Sequence, residues 1–158
     1  FKAATRILDA DGFFASLLGD IKNSKSLVVI VSPFLNYLRV QRFVSAKEVK
    51  DSVDRGVSIV VVTRTAKQVD NAKEHERCVK DLQENKVKVV AVEEPGLHFK
   101  AVIIDDEVLC IGSINPLSIP TYREAPADYM IRFESEALVD EIVENAIGRE
   151  TYEKWLSV

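Results

Sequence analysis

Three short runs constrain this chain more than anything else in it: "LVVIVSP" (27–33), "VSIVVVT" (57–63) and "VKVVAVE" (87–93). The first two are β-branched and almost continuously apolar, and the third reads as a further strand. A strand with one wet face alternates apolar and polar residues, so strands of this kind need cover on both faces. The segments between them carry helical spacing. "DGFFASLLGDIKNSK" (11–25) offers Asp11 as N-cap, with Phe14, Leu17, Leu18 and Ile21 on one side. "SAKEVKDSVDRG" (45–56) reads as a capping box, Ser45 with Glu48, stopped at Gly56. Residues 66–85 predict a third helix with Cys78, Val79 and Leu82 inward.

The rhythm then changes. After the turn "EEPG", the runs "LHFKAVIID" (97–105) and "EVLCIGSI" (107–114) lie too close together for a crossover helix, which predicts an antiparallel hairpin. "PLSIPTYREAPA" (116–127) reads as a loop and "DYMIRF" (128–133) as a last strand. From Ser135 onward the spacing predicts a helix burying Leu138, Val139, Ile142, Val143, Ala146 and Ile147, with Gly148 as the point of interruption. The fold class expected is α/β, a mixed β-sheet sandwiched between helices in one domain over 1–158. The chain starts at Phe1 rather than Met, as a module cut from a longer protein would.

A length of 158 residues is ample for one core, and the net charge of −4 supplies no global attraction for a polyanion. Nucleic acid would therefore need a local basic patch. Two cysteines make no disulfide framework; Cys78 and Cys110 read as buried thiols of a reducing compartment, the cytoplasm, or the nucleus in a eukaryote. No stretch is long and apolar enough to span a membrane, and no basic amphipathic helix points to a membrane surface. Cys and His lack metal-ligand spacing, and Asp105, Asp106 and Glu107 are too local to form a cage, so neither metal nor cofactor is expected.

The hairpin carries the polar residues that need explaining. His98 and Lys100 share one strand face, and so do Ser113 and Asn115. With a two-residue turn at Asp106–Glu107, Lys100 stands opposite Ser113 and His98 opposite Asn115, and all four converge. A one-residue slip would scatter them. Gly112 inside a strand signals close approach to its backbone. Together these groups form a set for holding a tetrahedral anion: charge from Lys, neutral donors from Ser and Asn, and a nucleophile or proton carrier from His. For any one of them alone, a satisfied core residue is the better reading. Four together favour a site.

The stretch reads H-x-K, four residues, D, six residues, G-S-x-N: His98, Lys100, Asp105, Gly112, Ser113 and Asn115. It resembles the signature of the phospholipase D superfamily. The resemblance implies that fold over the whole chain and metal-independent phosphodiester cleavage through a phosphohistidine. It makes His98 the nucleophile, with Lys100, Ser113 and Asn115 holding the phosphoryl oxygens. Asp105 would be structural, at the hairpin turn. A carboxylate before the strand after G-S-x-N would orient His98. Here "REAPADYMIRF" offers Glu124 and Asp128; Asp128, directly at the strand start, is preferred, although Glu is the commoner family choice.

Such a site uses two histidines, and the chain has one motif. His75, spaced helically with Cys78 and Leu82, reads as a packed or partly exposed helix residue and not a catalyst. The resemblance therefore implies a homodimer with His98 of both copies at one phosphate. Arg64 after its strand, Lys67 and Arg123 are candidates for the local basic patch, with solvated surface arginines the plain alternative. Arg64, Gly112 and Arg123 are thus the expected substrate-binding residues. Phe34, Asn36, Tyr37 and Arg39 are candidates for lining a cleft or a dimer contact, with packing at the core edge the preferred reading. Two functions stay open: a nuclease acting on DNA or RNA, alone or within a helicase-linked or restriction-type protein, and a nucleic-acid-binding and dimerisation module with little activity. Phospholipid hydrolysis ranks below both.

Overall fold

A computed structural model describes residues 5–93, 97–119 and 128–158. Seven strands form one mixed sheet: β1 (Thr5–Leu8), β2 (Leu27–Val31), β3 (Ser58–Arg64), β4 (Lys88–Val92), β5 (Ala101–Ile104), β6 (Val108–Gly112) and β7 (Met130–Glu134). Their order is β1-β7-β6-β5-β2-β3-β4. β2, β3 and β4 run parallel, and every other pairing is antiparallel. The α/β class and the mixed sheet are as expected.

Both faces are covered, which is why the central strands are apolar throughout. Val28 and Ile30 of β2, Ile59 and Val61 of β3, and Val102 and Ile104 of β5 face one core cluster. It is completed by α1 (Ala10–Lys22), α2 (Tyr37–Ser45), α3 (Lys47–Asp54) and α4 (Ala72–Glu84). The intervening residues Val29, Val31, Val60, Val62, Ala101 and Ile103 face a second cluster with α5 (Glu136–Ile142) and α6 (Arg149–Leu156). Cys78 and Cys110 are both buried in the first cluster, and burial pushes their thiols up to about 12. Among the described residues, no helix is long and apolar enough to cross a membrane.

Local expectations were corrected at several helix ends. α1 is capped by Asp9, whose carboxylate accepts from Gly12 N–H at 2.8 Å, and Asp11 lies inside the first turn. Ser45 closes α2, and α3 starts after Ala46 without a side-chain cap. The "FLNYLR" stretch is mostly helix α2, with Asn36 as its cap accepting from Arg39 N–H at 3.0 Å. The helix predicted over 66–85 divides into a 3₁₀ turn (Ala66–Gln68) and α4. The C-terminal helix passes through a π-helical segment (Val143–Ile147) and breaks at Gly148, whose φ of +92° suits glycine. β1, too short and polar to stand out, pairs with β7 at the sheet edge. Arg132 of β7 binds Asp20 of α1 through Nε and Nη2 at 2.9 and 2.8 Å, and this carboxylate, then Glu134, raises its pKa despite burial.

The hairpin register is the main correction. Ile104 pairs with Val108 and Ala101 with Ile111, one residue away from the predicted pairing. The connection holds three residues, Asp105 to Glu107, because Asp105 is drawn out of the ladder toward β2. Its N–H donates to Leu27 C=O at 2.8 Å. Its carboxylate accepts from the N–H groups of Lys25, Ser26 and Leu27 at 2.8, 2.9 and 2.9 Å and from Ser26 Oγ at 3.1 Å. These bonds support a left-handed backbone at Asp105 (φ 53°) and Asp106 (φ 55°), which costs about 1 kcal/mol or more per residue. Burial alone would raise the Asp105 pKa. Hydrogen bonds from Leu27, Lys25 and Ser26 outweigh it and hold the carboxyl below its ordinary range.

A group with a depressed pKa stabilises the fold above its ordinary range and loses that contribution as pH falls through its folded value. Asp105→Ala should cost about 2 kcal/mol in urea unfolding at neutral pH, the scale of hydrogen bonds to a charged group. The gap between wild type and variant should narrow as pH falls below about 4. An unchanged gap there would overturn the ionic account of this tie.

Candidate active site

β2, β3 and β4 finish at the end of the sheet where β5 and β7 begin and β6 stops. Val31 pairs with Ala101, Ala101 with Ile111, and Gly112 with Met130. His98 and Lys100 therefore arrive at this end, Ser113 and Asn115 leave from it, and Asp128 enters it. In open α/β sheets the carboxyl ends of parallel strands are where ligands bind.

Leu97 and Phe99 belong to the α5–α6 core cluster, and Phe99 stacks on Trp155 with ring centroids 6.5 Å apart. His98 is exposed and Lys100 half-buried. Lys100 Nζ donates to His98 C=O at 3.2 Å. Ser113 and Asn115 lie beyond the last residue of β6, so strand parity no longer decides their direction. The slipped register no longer sets Lys100 opposite Ser113 or His98 opposite Asn115, and all four residues sit where the strands have ended.

Gly112 explains how that end is built. A Cβ there would stand 2.3 Å from Tyr129 O and 2.9 Å from Met130 Cα. The close approach read from the sequence is thus that of β7's own backbone. Ser113 N–H donates to Tyr129 C=O at 2.9 Å, and Ser113 Oγ accepts from Tyr129 N–H at 3.0 Å while donating to Asp128 Oδ1 at 3.0 Å. The loop that follows crosses the end of β2: Leu117 N–H donates to the buried Ser32 Oγ at 3.1 Å, and Asn36 N–H to Leu117 C=O at 2.9 Å. On this loop, Asn115 Oδ1 is buried with no hydrogen-bond partner among the described residues. An unpartnered polar atom in a core is costly, and a ligand or water that supplies a donor would relieve the cost.

Among the described residues, no carboxylate is hydrogen-bonded to the His98 ring. Asp128 is engaged with Ser113, and Glu124 and Arg123 lie outside the described residues. The group at His98 Nδ1 is instead Arg64, with Nη2 at 3.1 Å. Arg64 Nε donates to Leu97 C=O at 2.8 Å, and its guanidinium carbon lies 4.5 Å from the centroid of the Phe34 ring. The Arg64 carbonyl accepts from His75 Nε2 at 2.7 Å. His75 is buried, and desolvation lowers its pKa, in keeping with the packed helix residue expected. Tyr129 and Phe34, both exposed, flank the motif on the β7 and β2 sides. Tyr129 went unread because nothing distinguishes a surface aromatic at a strand start from a core one in sequence. Among the described residues, no three or more His, Cys, Asp or Glu stand together as a metal site.

Residues 17–146 match the family model described as "Cardiolipin synthase, PLD-like domain". The chain belongs to the phospholipase D superfamily. Among solved structures, NucT from Helicobacter pylori matches with a TM-score of 0.68 at 16% identity, covering 97% of this chain and 95% of that one. Nuc from Salmonella typhimurium, a phospholipase D family member, gives 0.69 at 11% identity over 97% and 93%. TrmBL2, an archaeal chromatin protein, gives 0.59 at 12% identity over 97% of this chain and 52% of that one. At these identities the likeness is one of fold. No curated protein matches the chain in sequence.

Gly112→Ala should destabilise by about 2 kcal/mol or more, since overpacking here meets backbone and not a yielding side chain. Thermal unfolding measures the loss. A variant as stable as wild type would show that β7 can withdraw from Gly112.

Proposed function

We propose that the chain is a phosphodiesterase cleaving nucleic acid through a phosphohistidine on His98, without a metal ion, in a site shared across a homodimer. The observation that carries this reading is the set at one sheet end: His98 exposed, Lys100 beside it, Ser113 held by Asp128, and Asn115 with a buried Oδ1 that has no partner among the described residues.

The roles follow from the chemistry of each group. His98 attacks phosphorus and expels the alcohol oxygen, and water then hydrolyses the phosphoramidate. Lys100 offsets the charge that builds on the phosphoryl oxygens, and Ser113 and Asn115 supply neutral hydrogen bonds. Asp128 holds Ser113 in place. Gly112 serves by letting β7 close on the motif. Arg64 adds a second positive charge at His98, which is how an acidic chain can hold a polyanion locally. Arg123 is the further candidate for that patch.

A leaving oxygen needs a proton, and His75 is not placed to give it: it is buried and donates to the Arg64 carbonyl. A second imidazole would come from a second copy, related by a two-fold axis. Exposed Phe34 and Tyr129 offer faces on which bases can stack, which favours nucleic acid over phospholipid.

The second reading is a binding and dimerisation module of a larger helicase-linked or restriction-type protein. The fold likeness to about half of TrmBL2, whose structure is described as showing a novel mode of DNA binding, favours it.

Hydrolysis of a chromogenic phosphodiester and of single- and double-stranded DNA and RNA, in excess EDTA across the dimerisation range, tests the proposal. His98→Ala should lower the rate on the order of 10³-fold or more. Lys100→Ala should lower it by about 10²-fold or more. The rate per chain should rise with dimer formation. A folded dimer that binds nucleic acid and cleaves none would favour the second reading; activity surviving in His98→Ala would overturn the covalent mechanism.

A further inference from the structure

A guanidinium carries five N–H donors and no acceptor. With Arg64 Nη2 at 3.1 Å, the Nδ1 of His98 must present its lone pair. In a neutral imidazole the proton then sits on Nε2. A carboxylate at Nδ1 does the reverse: it holds the proton on Nδ1 and leaves the Nε2 lone pair free for attack. The contact found in this structure and the contact a nucleophile requires thus select opposite tautomers of one ring.

Arg64 is built to hold this position. Nε is fixed by Leu97 C=O at 2.8 Å, one residue before His98. The guanidinium lies over Phe34, and the backbone of Arg64 is tied at its carbonyl by His75 Nε2 at 2.7 Å and paired with Val92 of β4. The bond to His98 is nonetheless the weaker kind, from a cation to a neutral nitrogen. A phosphate oxyanion offers the same guanidinium two charge-assisted bonds in matching geometry.

We propose that Arg64 is a positioning residue that latches His98 in a resting Nε2–H tautomer, and that a phosphate anion entering the site releases the latch. The guanidinium moves from Nδ1 to the phosphate oxygens. Solvent takes the Nε2 proton and supplies one to Nδ1, with no change in net charge, and His98, being exposed, exchanges freely with water. The ring becomes a nucleophile only when a phosphate is present to be attacked. The inference rests on the proposed function in taking a phosphodiester as the natural ligand.

Ring ¹⁵N NMR of the full chain tests it, at a pH well above the ordinary imidazole pKa of about 6.5. His98→Ala assigns the two rings. His75, which donates through Nε2 to a backbone carbonyl, is an internal control for the fold. Wild type without ligand should show His98 with an unprotonated Nδ1 and a protonated Nε2, and inorganic phosphate should shift the population toward Nδ1–H. Arg64→Met keeps a stem against Phe34 and loses every donor. It should lower the Nε2–H population from the latched level to that of a free histidine side chain and leave the His75 signals in place.

A ligand-free wild type already in the Nδ1–H form, a population that phosphate does not move, or a preference unchanged in a folded Arg64→Met would each overturn the latch. If His75 shows that Arg64→Met is unfolded, the wild-type phosphate titration decides alone. No cleavage enters these readouts. Absent hydrolysis with the tautomer shift intact counts against the proposed reaction and not the latch; cleavage by a His98 that rests as Nδ1–H overturns only the latch.

Discussion

Where the parallel half of the sheet meets the antiparallel half, β2 lies against β5, and one carboxylate holds the junction. Asp105 accepts three successive backbone N–H groups at the start of β2 and the hydroxyl of Ser26. Those groups otherwise face solvent or the unpaired end of a strand, where they must find acceptors. Meeting them with the first residue after β5 sets β5 against β2 and lengthens the hairpin connection to three residues. Val31 then faces Ala101, and the His98–Lys100 segment begins where β2 ends.

The site is assembled from that junction outward. β6 follows β5 in the register Asp105 imposes and ends at Gly112, where the lack of a side chain lets the Tyr129 carbonyl come close. Ser113 takes up the β7 backbone and Asp128 together, so the strand that delivers the carboxylate is the one that closes on the glycine. Asp20 anchors β7 from α1 through the buried Arg132. On the far side, β3 brings Arg64 to the same end, and His75 fixes its backbone. The motif residues thus come from four strands that agree only at their ends.

Much of this was legible in sequence. Continuous β-branched runs at 27–31 and 58–62 require cover on both faces, and they received it from α1–α4 on one side and α5–α6 on the other. The H-x-K and G-S-x-N elements were readable because their spacing constrains chemistry directly. The register was not readable. A two-residue turn is the simplest reading of Asp106–Glu107, and it failed because the acceptor capacity of Asp105 is used by Lys25 to Leu27, some eighty positions earlier in the chain. Helix caps failed on a smaller scale: Asp9 and Asp11 are both acceptable N-caps locally, and packing of Phe13, Leu17 and Ile21 chooses between them.

The sequence by itself determined the α/β class, the mixed sheet and the identity of the motif residues, because periodicity, length and residue chemistry are local properties. Only the tertiary structure decided what each motif residue touches. Asp128 lies against Ser113 and Arg64 against His98, where the sequence paired Asp128 with His98 and left Arg64 between substrate and solvent. Hydrogen-bond partners of side chains at strand ends depend on where each strand stops and on what the neighbouring strand delivers there. These are set by long-range pairings that no window of sequence contains.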